Sequence, residues 1–412
     1  MNHSRSVKGN VYLLIRIVTM LGVLAMFPMT GQTRWQVGTD TGGKIDSFIL
    51  QRMDEAGIVG LGAAIIVDKK AVWMKGYGFA DNARALPFTP DTVMNIGSIS
   101  KTFTGVAMMR AVQEGKLSLD EDINSYLPFK VINPYFPNEK ITLRHLATHT
   151  SGITDRQSVY RETYHYGGDA PEPLGKFLKN YFVPGGASYS KDNFLNAKPG
   201  MQREYSNIAA GLAGYIVEVA VGKTLNAYTR QHIFTPLQMN STGWFLSEIA
   251  QAKHSKLYVA QNGLTIPIPL YGGVTYPDGG VRTSVSDLSK FFIALLNDGV
   301  YEGIRILEKR WAEEMLRFQF TDSSKPENVS LQDVNSGLFW ATKFSVTRIG
   351  HGGADPGVKT EMLSNLSKDV GVILFTNTSL SGQEGRHFVA IYQELWKHAE
   401  ALKAERRRMM PQ

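Results

Sequence analysis

The order of strand-like and helical segments constrains the fold of this chain more than any other feature. Short apolar segments near both ends have the length and the flanking Gly, Pro, Asp and Lys residues that are typical of β-strands. Between residue 101 and about residue 297, the strong periodic segments are helical instead. One antiparallel sheet built from both ends, with a mostly helical lobe inserted, accommodates this order, so the sequence predicts an α+β fold with helices flanking the sheet. The strand-like segments are residues 62–67, 71–74, 345–349, 358–363 and 370–376.

The length fits one large domain with an inserted lobe as well as two or three domains of average size. The chain has 412 residues, of which 43% are hydrophobic and 20% charged, so it can bury a sizeable core and is not a disordered, collagen-like or coiled-coil protein. We expect one domain over residues 37–404, with the helical lobe at roughly 105–280. A signal peptide or anchor at 1–36 would precede it, and a basic tail at 405–412 would follow it. The first and last helices are expected at 45–56 and 385–404.

The N-terminal segment has the features of an export signal. Arg5, Lys8 and Arg16 precede a 13-residue apolar run, Ile17–Met29. This is the length of a signal-peptide core and is shorter than the roughly 20 residues that span a bilayer. We therefore expect an exported protein, periplasmic or secreted. Because Arg16 lies inside the longer stretch Val11–Met29, an uncleaved anchor that associates with the inner membrane through residues 11–29 stays open as an alternative, as does a mitochondrial presequence.

The net charge of +7 does not indicate a nucleic-acid partner, because most of it lies at the two ends of the chain. Residues 1–36 contribute +4 and residues 400–412 contribute +2, which leaves +1 for the rest. A nearly neutral body is a poor electrostatic match for DNA or RNA, so we expect no nucleic acid as a partner. The chain has no cysteine, which excludes disulfides, a thiolate nucleophile and cysteine-ligated metals.

Ser98 and Lys101 form the first candidate catalytic element. The apolar positions within Phe103–Val112 define one helix face, so Ser98 falls near a helix start with Lys101 one turn later on the same side. There the lysine amine can reach the serine hydroxyl, and it acts as a base only if burial or a neighbouring cation lowers its pKa. The same spacing recurs at Ser188–Lys191 without a helical pattern after it. In isolation, either copy fits a helix cap followed by a solvated lysine.

Tyr205 and Asn207 form the second candidate element. Among the 17 tyrosines, Tyr205 is the only one followed two residues later by Asn. The pair precedes a predicted helix, Ile208–Val221, that stops at Gly222. A phenol beside a lysine can be held partly ionised and can carry protons, and an amide can bind both a substrate carbonyl and the lysine. Taken alone, Tyr205 would fit a turn tyrosine that packs on a helix start.

His351 and Gly353 form the third candidate element. His351 is the only Lys or His after Tyr205 that is followed two residues later by Gly. It lies between two strand-like segments, where glycines let the backbone of a substrate approach a sheet edge. The alternative interpretation is a Gly-rich turn with an incidental histidine.

The three motifs, Ser-x-x-Lys, Tyr-x-Asn and Lys/His-x-Gly in this order, resemble those of the serine β-lactamases and penicillin-binding D,D-peptidases, particularly the class C β-lactamase group. The likeness extends from about Ile45 to Leu402. It implies a β-lactamase/transpeptidase-like fold, in which an antiparallel sheet flanked by helices meets a mostly helical lobe at the active-site groove. Further matches to the group are residues 141–152, 198–200 and 279–284.

The resemblance also implies a role for each candidate residue. Ser98 would be the acylated nucleophile, Lys101 its base, and Tyr205 the proton shuttle for the leaving group and for the deacylating water. Asn207 would orient the acyl amide of the substrate.

The remaining substrate-binding residues would be His351, Gly353 and Ala354, with the backbone N–H groups of Ser98 and Ala354 as the oxyanion hole. Class C β-lactamases and most D,D-peptidases carry lysine where this chain has His351. A fixed ammonium suits a substrate carboxylate better than a mostly neutral imidazole does. Histidine at this place is frequent in the esterases and peptidases of the group. The resemblance therefore implies a preference for neutral esters or amides and speaks against efficient β-lactamase action.

The sequence thus predicts a serine hydrolase that acts on a small-molecule or peptide substrate, an ester or a D-amino-acid peptide or amide, without a cofactor. A true β-lactamase and a non-catalytic wall-binding or scaffold protein stay open as alternatives, although the complete set of Ser98, Lys101 and Tyr205 speaks against a scaffold. No metal site is expected, because His145 and His149 have i, i+4 spacing but no acid between them. The natural substrate and the oligomeric state are left open.

Overall fold

The computed structural model describes residues 43–261, 264–380 and 382–409. The α-helices in this part of the chain are α1 (Lys44–Ala56), α2 (Ser100–Gln113), α3 (Leu143–Ala147), α4 (Gln157–Tyr160), α5 (Leu174–Phe182), α6 (Asn207–Val221), α7 (Leu225–Thr229), α8 (Val285–Leu296), α9 (Lys309–Leu316) and α10 (Gly382–Met409). The β-strands are β1 (Gly60–Val67), β2 (Lys70–Asp81), β3 (Leu86–Pro87), β4 (Met94–Asn95), β5 (Tyr164–Tyr166), β6 (Leu257–Gln261), β7 (Leu264–Ile268), β8 (Tyr271–Gly273), β9 (Arg282–Thr283), β10 (Val300–Tyr301), β11 (Ile304–Arg305), β12 (Ala341–Lys343), β13 (Arg348–Asp355), β14 (Val358–Asn365), β15 (Val370–Thr376) and β16 (Thr378–Ser379).

The largest sheet joins strands from both ends of the domain. It has seven strands in the order β12-β13-β14-β15-β1-β2-β3, and all neighbours in it are antiparallel. The hairpin β1–β2 joins the C-terminal strands through β1, where Ala64 lies opposite Ile373 of β15. The prediction of an α+β fold, with one antiparallel sheet flanked by helices, is confirmed.

The alternation of side chains along β1 explains why helices cover both faces of this sheet. Successive residues of a strand point to opposite faces. Leu61, Ala63 and Ile65 pack in one apolar cluster with side chains of α1 and α10, whereas Ala64 and Ile66 belong to a second cluster with side chains of α2 and α8. Because both faces are buried, β1 is apolar along its whole length. The core therefore has two parts, one on each side of the sheet.

The helix that follows Ser98 is anchored deep in the second of these clusters. Phe103 of α2 stacks on Phe291 of α8 with ring centroids 3.8 Å apart, and it lies edge-on to Phe234. Such a close aromatic contact on two sides fixes α2 against its neighbours.

The helix α6 ends before Gly222, whose φ of +66° gives the left-handed helix end that the sequence predicted.

Two pairs of short strands interrupt the helical segment, and the sequence analysis missed them. β5 pairs with β8, and β6 pairs with β7. The three residues of β5 are too few to show a periodic pattern, and their extended form depends on pairing with residues more than a hundred positions away.

The strand predicted at 345–349 is wrong in its position. Phe344, Ser345 and Val346 have φ values of +52°, +52° and +62° and form the turn between β12 and β13, while β13 itself spans Arg348–Asp355. The candidate residue His351 therefore lies within a strand and not in a Gly-rich turn. The glycines lower the intrinsic strand propensity of this segment, and its pairing with β14 overrides that propensity.

The final helix is longer than predicted at both ends. It spans Gly382–Met409 and so includes residues 405–409 of the segment expected as a basic tail. Arg406, Arg407 and Arg408 lie in its last turn, where cations interact favourably with the negative end of the helix dipole.

The predicted signal peptide or anchor, residues 1–36, lies outside the described residues. Within the described ranges, no individual helix has the length and apolar composition of a membrane span, and α6 together with Leu225–Phe234 reaches them only as a pair bent by 75°. The predicted export and membrane association stay predictions.

Candidate active site

Ser98 lies in a 3₁₀ turn, Gly97–Ile99, that leads directly into α2. Gly97 makes this turn possible, because its φ of +56° is in the left-handed region that favours glycine, and its N–H donates to Oδ1 of Asn95 at 2.6 Å. The serine is half-buried and lines a cavity. Its place at the N-terminal end of a 14-residue helix favours negative charge that develops on a bound carbonyl.

Lys101 is fully buried and reaches Ser98 from one turn further along α2. Its Nζ lies 3.0 Å from Oγ of Ser98, 2.7 Å from Oδ1 of Asn207 and 2.9 Å from the carbonyl oxygen of Asp278. The last two oxygens can only accept, so they occupy two N–H groups of the lysine in either charge state. The third position faces Ser98, where an ammonium donates to Oγ and a neutral amine accepts the serine proton. The geometry therefore suits a base.

Asp155 fixes the orientation of the Asn207 side chain. Its carboxylate accepts hydrogen bonds from Nδ2 of Asn207 at 2.9 Å and from the backbone N–H of Asn207 at 2.8 Å. Because Nδ2 must face this carboxylate, Oδ1 must face Lys101. Ser206 Oγ and the N–H of Ile208 donate to the same carboxylate, which lies at the N-terminus of α6 where the helix dipole favours negative charge.

Two buried acids influence the charge of Lys101. Burial lowers the pKa of Lys101, but the attraction of the Tyr205 oxygen, Asp278 and Asp355 outweighs burial and raises this pKa above its ordinary value. Burial also raises the pKa of Asp278 to about 7 and that of Asp355 to about 6. The lowered lysine pKa that the sequence analysis required is therefore not found in the resting site, where Lys101 is an ammonium at pH 7.

Tyr205 lies beside Lys101 and packs against His149. The lysine Nζ is 5.0 Å from the centroid of the Tyr205 ring, and the centroids of the Tyr205 and His149 rings are 4.3 Å apart. Nδ1 of His149 accepts a hydrogen bond from the backbone N–H of Ser206 at 3.2 Å, which leaves the proton on Nε2. Burial holds the pKa of His149 far below its usual value, so the ring supports Tyr205 as a neutral group. Tyr205 keeps 38% of its surface exposed and can reach a bound substrate.

The strand β13 forms the opposite side of the cavity and leaves one edge open. The neighbouring strand β12 pairs only with residues 348–350 of β13. No other strand in the described part of the chain pairs with 351–355 on this side, and the other edge is taken by β14. An open edge presents backbone N–H and C=O groups to which an extended substrate can pair.

The two backbone N–H groups proposed as the oxyanion hole lie close together. Gly353 allows this approach, because a Cβ at that position would lie 2.3 Å from the carbonyl oxygen of Ile96 and 3.1 Å from the nitrogen of Ser98. A Cβ on Gly97 would likewise lie 3.3 Å from the nitrogen of Ala354. The structure thus brings the backbone of Ser98 and Ala354 to the same end of the cavity.

His351 is neutral and almost completely buried. Its Nδ1 lies 2.7 Å from the carbonyl oxygen of Gly352, so Nδ1 carries the proton and Nε2 remains an acceptor. Burial, helped by the nearby positive charge of Lys101, lowers the pKa of His351 to about 3. The ring centroids of His351 and Tyr205 are 6.2 Å apart.

These residues meet in one cavity of about 510 Å³. All of the predicted site residues except the fully buried Lys101 line it. The lining residues used below are Ser98, Tyr160, Tyr164, Arg203, Tyr205, Asn207, Lys343, His351, Gly352, Gly353, Ala354, Asp355, Lys359 and Glu361.

The profile of the Beta-lactamase family matches residues 45–393 of the chain. The chain belongs to the β-lactamase family. A curated relative, Protein flp of Staphylococcus aureus strain MW2, is 28% identical over 260 residues, which make up 63% of this chain and 49% of the relative. The chain thus spans about half the length of that relative.

Solved structures of penicillin-binding proteins and amidases share the fold. The octameric penicillin-binding protein homologue from Pyrococcus abyssi is 28% identical, with a TM-score of 0.67 over 82% of this chain and 73% of that one. The D-amino acid amidase from Ochrobactrum anthropi SV3, solved with L-phenylalanine amide, is 22% identical, with a TM-score of 0.66 over 88% of this chain and 100% of the amidase. The family and the fold are those of serine hydrolases of the β-lactamase and penicillin-binding protein type, as the sequence predicted.

Sequence analysis missed several residues that the β-lactamase family fold brings to the site. Asp155, Arg203 and Asp278 come from three separate segments, and each lies outside the three motifs. Asp355 directly follows the proposed oxyanion-hole residue Ala354, and its Oδ1 accepts a hydrogen bond from Tyr164 at 2.8 Å. Asp155 follows the family-matching stretch 141–152 by three residues, which is the nearest that any of these residues comes to a sequence signal.

Ser188, Lys191 and His145, which belong to two other patterns in the sequence, lie outside the site. Ser188 and Lys191 do not line the cavity, and Lys191 is exposed in a 3₁₀ turn. His145 caps the helix α3, because its Nδ1 accepts a hydrogen bond from the backbone N–H of Thr142 at 3.3 Å.

Proposed function

We propose that this protein is a serine hydrolase that acts on esters or on D-amino-acid peptides and amides through an acyl-enzyme on Ser98. The observation that carries the proposal is the contact of the buried Lys101 amine with Ser98, Asn207 and the carbonyl of Asp278. Nucleophilic catalysis by a serine requires a base at hydrogen-bond distance from its hydroxyl, and the Lys101 amine holds that position beside the backbone N–H of Ser98. A non-catalytic scaffold protein would not need a buried lysine amine next to a serine hydroxyl.

In the acylation step, Ser98 Oγ attacks the carbonyl carbon of the substrate while its proton passes to the Lys101–Tyr205 pair. Because Lys101 is an ammonium at rest, the pair must first release one proton, and the proton that remains is shared between Nζ and the phenol oxygen. The N–H groups of Ser98 and Ala354 stabilise the oxyanion. The tetrahedral intermediate then expels the leaving group, which takes a proton from Tyr205.

In the deacylation step, a water attacks the ester carbonyl of the acyl-enzyme. Its proton passes to the same pair and returns to Oγ of Ser98, so the free enzyme is restored. Asn207 Oδ1 uses one lone pair for Lys101 and has the second for an N–H of the acyl group.

A β-lactamase is the second candidate function, and it differs only in how fast the acyl-enzyme is hydrolysed. The family match and the cationic side chains of Arg203 and Lys359 in the cavity favour it. The neutral His351 speaks against it, because an imidazole without charge holds a carboxylate less well than an ammonium does.

Mass spectrometry after incubation with a fluorophosphonate, and separately with penicillin, tests the proposal. We expect the fluorophosphonate to label Ser98. If penicillin forms an adduct, we expect the adduct to persist for minutes, because the site is not adapted to hydrolyse a penicillin-derived acyl-enzyme. The variant Ser98→Ala should remain unlabelled, whereas Ser188→Ala should label like wild type. Labelling of Ser188, or none at all on folded protein, would refute the proposal, and rapid penicillin turnover would favour the β-lactamase.

We also propose that the protein is exported, to the periplasm or beyond, by the basic and apolar segment at its N-terminus. The 13-residue run Ile17–Met29 supports this, as does the absence of cysteine from the sequence. Mass determination of the mature N-terminus in fractionated cells would distinguish a cleaved signal from a retained anchor.

A further inference from the structure

The charged side chains that line the cavity are not balanced. Lys343 is compensated by Glu361, whose two carboxylate oxygens accept from its Nζ at 2.7 and 2.8 Å. Arg203 and Lys359 form no ion pair with any carboxylate in the described part of the chain. Asp355 also lines the cavity, but it forms no ion pair with either cation, so a substrate meets two cations that are not held in an ion pair.

Arg203 is the more confined of these two cations. Its guanidinium is largely withdrawn from water, and its buried Nε has no hydrogen-bond partner among the described residues. The neighbouring acid in the chain, Glu204, is exposed to solvent and attracts Arg203 only at a distance, without an ion pair. Because that Nε has almost no accessible surface, a ligand in the cavity would contact the terminal Nη groups of Arg203, which have no hydrogen-bond partner among the described residues.

Arg203 lies at the end of the cavity where we expect the leaving group of the substrate to bind. It precedes Tyr205 by two residues, and Tyr205 is the proposed proton donor to the leaving group. Its positive charge also contributes to the lowered pKa of both His149 and His351, so it acts at the end of the cavity where these rings lie. This is the end where relatives place a lysine in position 351.

We infer that Arg203 is a specificity-determining residue that binds a carboxylate on the leaving group of the substrate. A guanidinium presents donors in a planar fork that matches a carboxylate with two parallel hydrogen bonds. Arg203 thereby supplies, from the segment before α6, the positive charge that the neutral His351 cannot supply. This inference rests on the proposed acyl-enzyme mechanism and names the substrate class.

The inference reverses an expectation drawn from His351 alone. Position 351 predicted a preference for neutral esters or amides, whereas the unpaired Arg203 predicts a preference for substrates with an anionic leaving group. The two predictions differ in sign for the same pair of substrates, so one experiment separates them.

The test compares kcat/KM for a phenyl ester of an N-acyl-D-alanine with its meta-carboxyphenyl counterpart. We expect wild type to prefer the anionic ester, and Arg203→Gln to lower the ratio of the two kcat/KM values about 10- to 100-fold, mainly through KM. Arg203→Lys, which keeps the charge but loses the fork, should retain part of the preference. His351→Lys in the Arg203→Gln background should restore it, because it returns a cation to the same end of the cavity.

Two outcomes would overturn the inference. One is a ratio that Arg203→Gln leaves as it was, and the other is an equal loss on both esters in a variant with the melting temperature of wild type, which would show a structural role. The matched variant Lys359→Gln removes the other unpaired cation, and a larger fall in the ratio there would assign the carboxylate to Lys359. If neither ester is hydrolysed by wild type, or if Ser98→Ala hydrolyses both, the proposed function itself fails.

Discussion

The two sides of the cavity differ in how completely their polar groups are paired. On the inner side, Lys101, Asn207 and Asp155 hold one another in a continuous chain of hydrogen bonds between 2.7 and 2.9 Å. On the outer side, β13 leaves an edge without a strand partner over residues 351–355, and Arg203 and Lys359 form no ion pair with a described residue. We call these the inner wall and the outer wall.

The difference follows from what each wall must do. Proton transfer depends on distances of a few tenths of an ångström, so the groups that carry it are locked by partners that also fix their tautomer and orientation. Recognition works the other way, because a group already paired within the protein gains little from a ligand, whereas an unpaired one gains a full hydrogen bond. The inner wall therefore carries the proton, whereas the outer wall supplies the proposed oxyanion-hole N–H of Ala354 and selects the substrate.

The largest effect is expected from the proton relay of the inner wall. Lys101→Ala and Tyr205→Phe should each lower the rate of acylation by about 10²–10⁴-fold, the usual scale for acid–base groups. If the two residues share one proton, the double variant should be little slower than the worse single variant. Stopped-flow acylation by an activated ester measures all three rates, and fully multiplicative losses would contradict a shared relay.

A matched pair of glycines tests how the outer wall is built. In Gly353→Ala the new Cβ would lie 2.3 Å from a backbone carbonyl, that of Ile96, which cannot move without shifting the turn that carries Ser98. We expect kcat to fall by about 10²–10³-fold, the cost of losing an oxyanion-hole donor. In Gly352→Ala the Cβ would meet only the flexible tips of Lys343 and Glu361, at 2.6 and 2.7 Å, so kcat should change far less.

The steady-state kcat and the melting temperature of both glycine variants check this prediction. Comparable losses of kcat in the two variants would show that the open edge, and not the approach of Gly353 to Ser98, determines activity.

Sequence reasoning succeeded where the chemistry is local. Short-range periodicity correctly placed Ser98 and Lys101 at the start of one helix, and Tyr205 and Asn207 at the start of another that ends at Gly222. The order of the three motifs, and not periodicity, singled these residues out. The fold followed from a similar signal, the order of strand-like segments at both ends with helical segments between them.

Sequence reasoning failed where tertiary pairing decides the outcome. The segment His351–Asp355 contains two adjacent glycines and becomes a strand only because β14 pairs with it. Asp155, Arg203 and Asp278 meet the site from distant segments with no spacing that relates them to Ser98. The charge of Lys101 depends on Asp278 and Asp355, so its raised pKa could not be inferred from the motif.

A substitution of Asp155 should lower activity less than the loss of Lys101 or Tyr205 does. Asp155→Asn leaves one acceptor oxygen for four donors and places an NH₂ group near Asn207, so the amide of Asn207 loses its fixed orientation toward Lys101. We expect kcat/KM to fall about 10- to 100-fold and the free energy of unfolding to fall by about 1–3 kcal/mol. Kinetics at several pH values and denaturant unfolding measure the two effects.

The matched control is Asp287→Asn. It removes another carboxylate that accepts hydrogen bonds near the start of a helix, here from the N–H of Ser241 at 2.8 Å, but Asp287 lies away from Lys101. It should lose stability and keep the pH profile of wild type. If Asp155→Asn behaved in the same way, Asp155 would be a helix cap and not a positioning residue.

The smallest effect is expected from Asp278, and it appears only in the pH dependence. Catalysis requires the Lys101–Tyr205 pair to lose a proton, so kcat/KM rises with pH through the pKa of that pair. The negative charge of Asp278 helps to raise the pKa of Lys101, so Asp278→Asn should move this rising limb to lower pH, by about one unit at the low end of charge effects. Because burial raises the pKa of Asp278 itself to about 7, the carboxyl is neutral well below pH 7, and the two profiles should coincide there and separate above it.

The surface variant Asp298→Asn controls for the loss of an acid elsewhere, because the carboxylate of Asp298 pairs with Lys368 at 2.8 Å outside the cavity. This variant should keep the wild-type profile. A limb that stays in place in Asp278→Asn, or moves to higher pH, would show that the inner wall does not set the charge of its lysine through this acid.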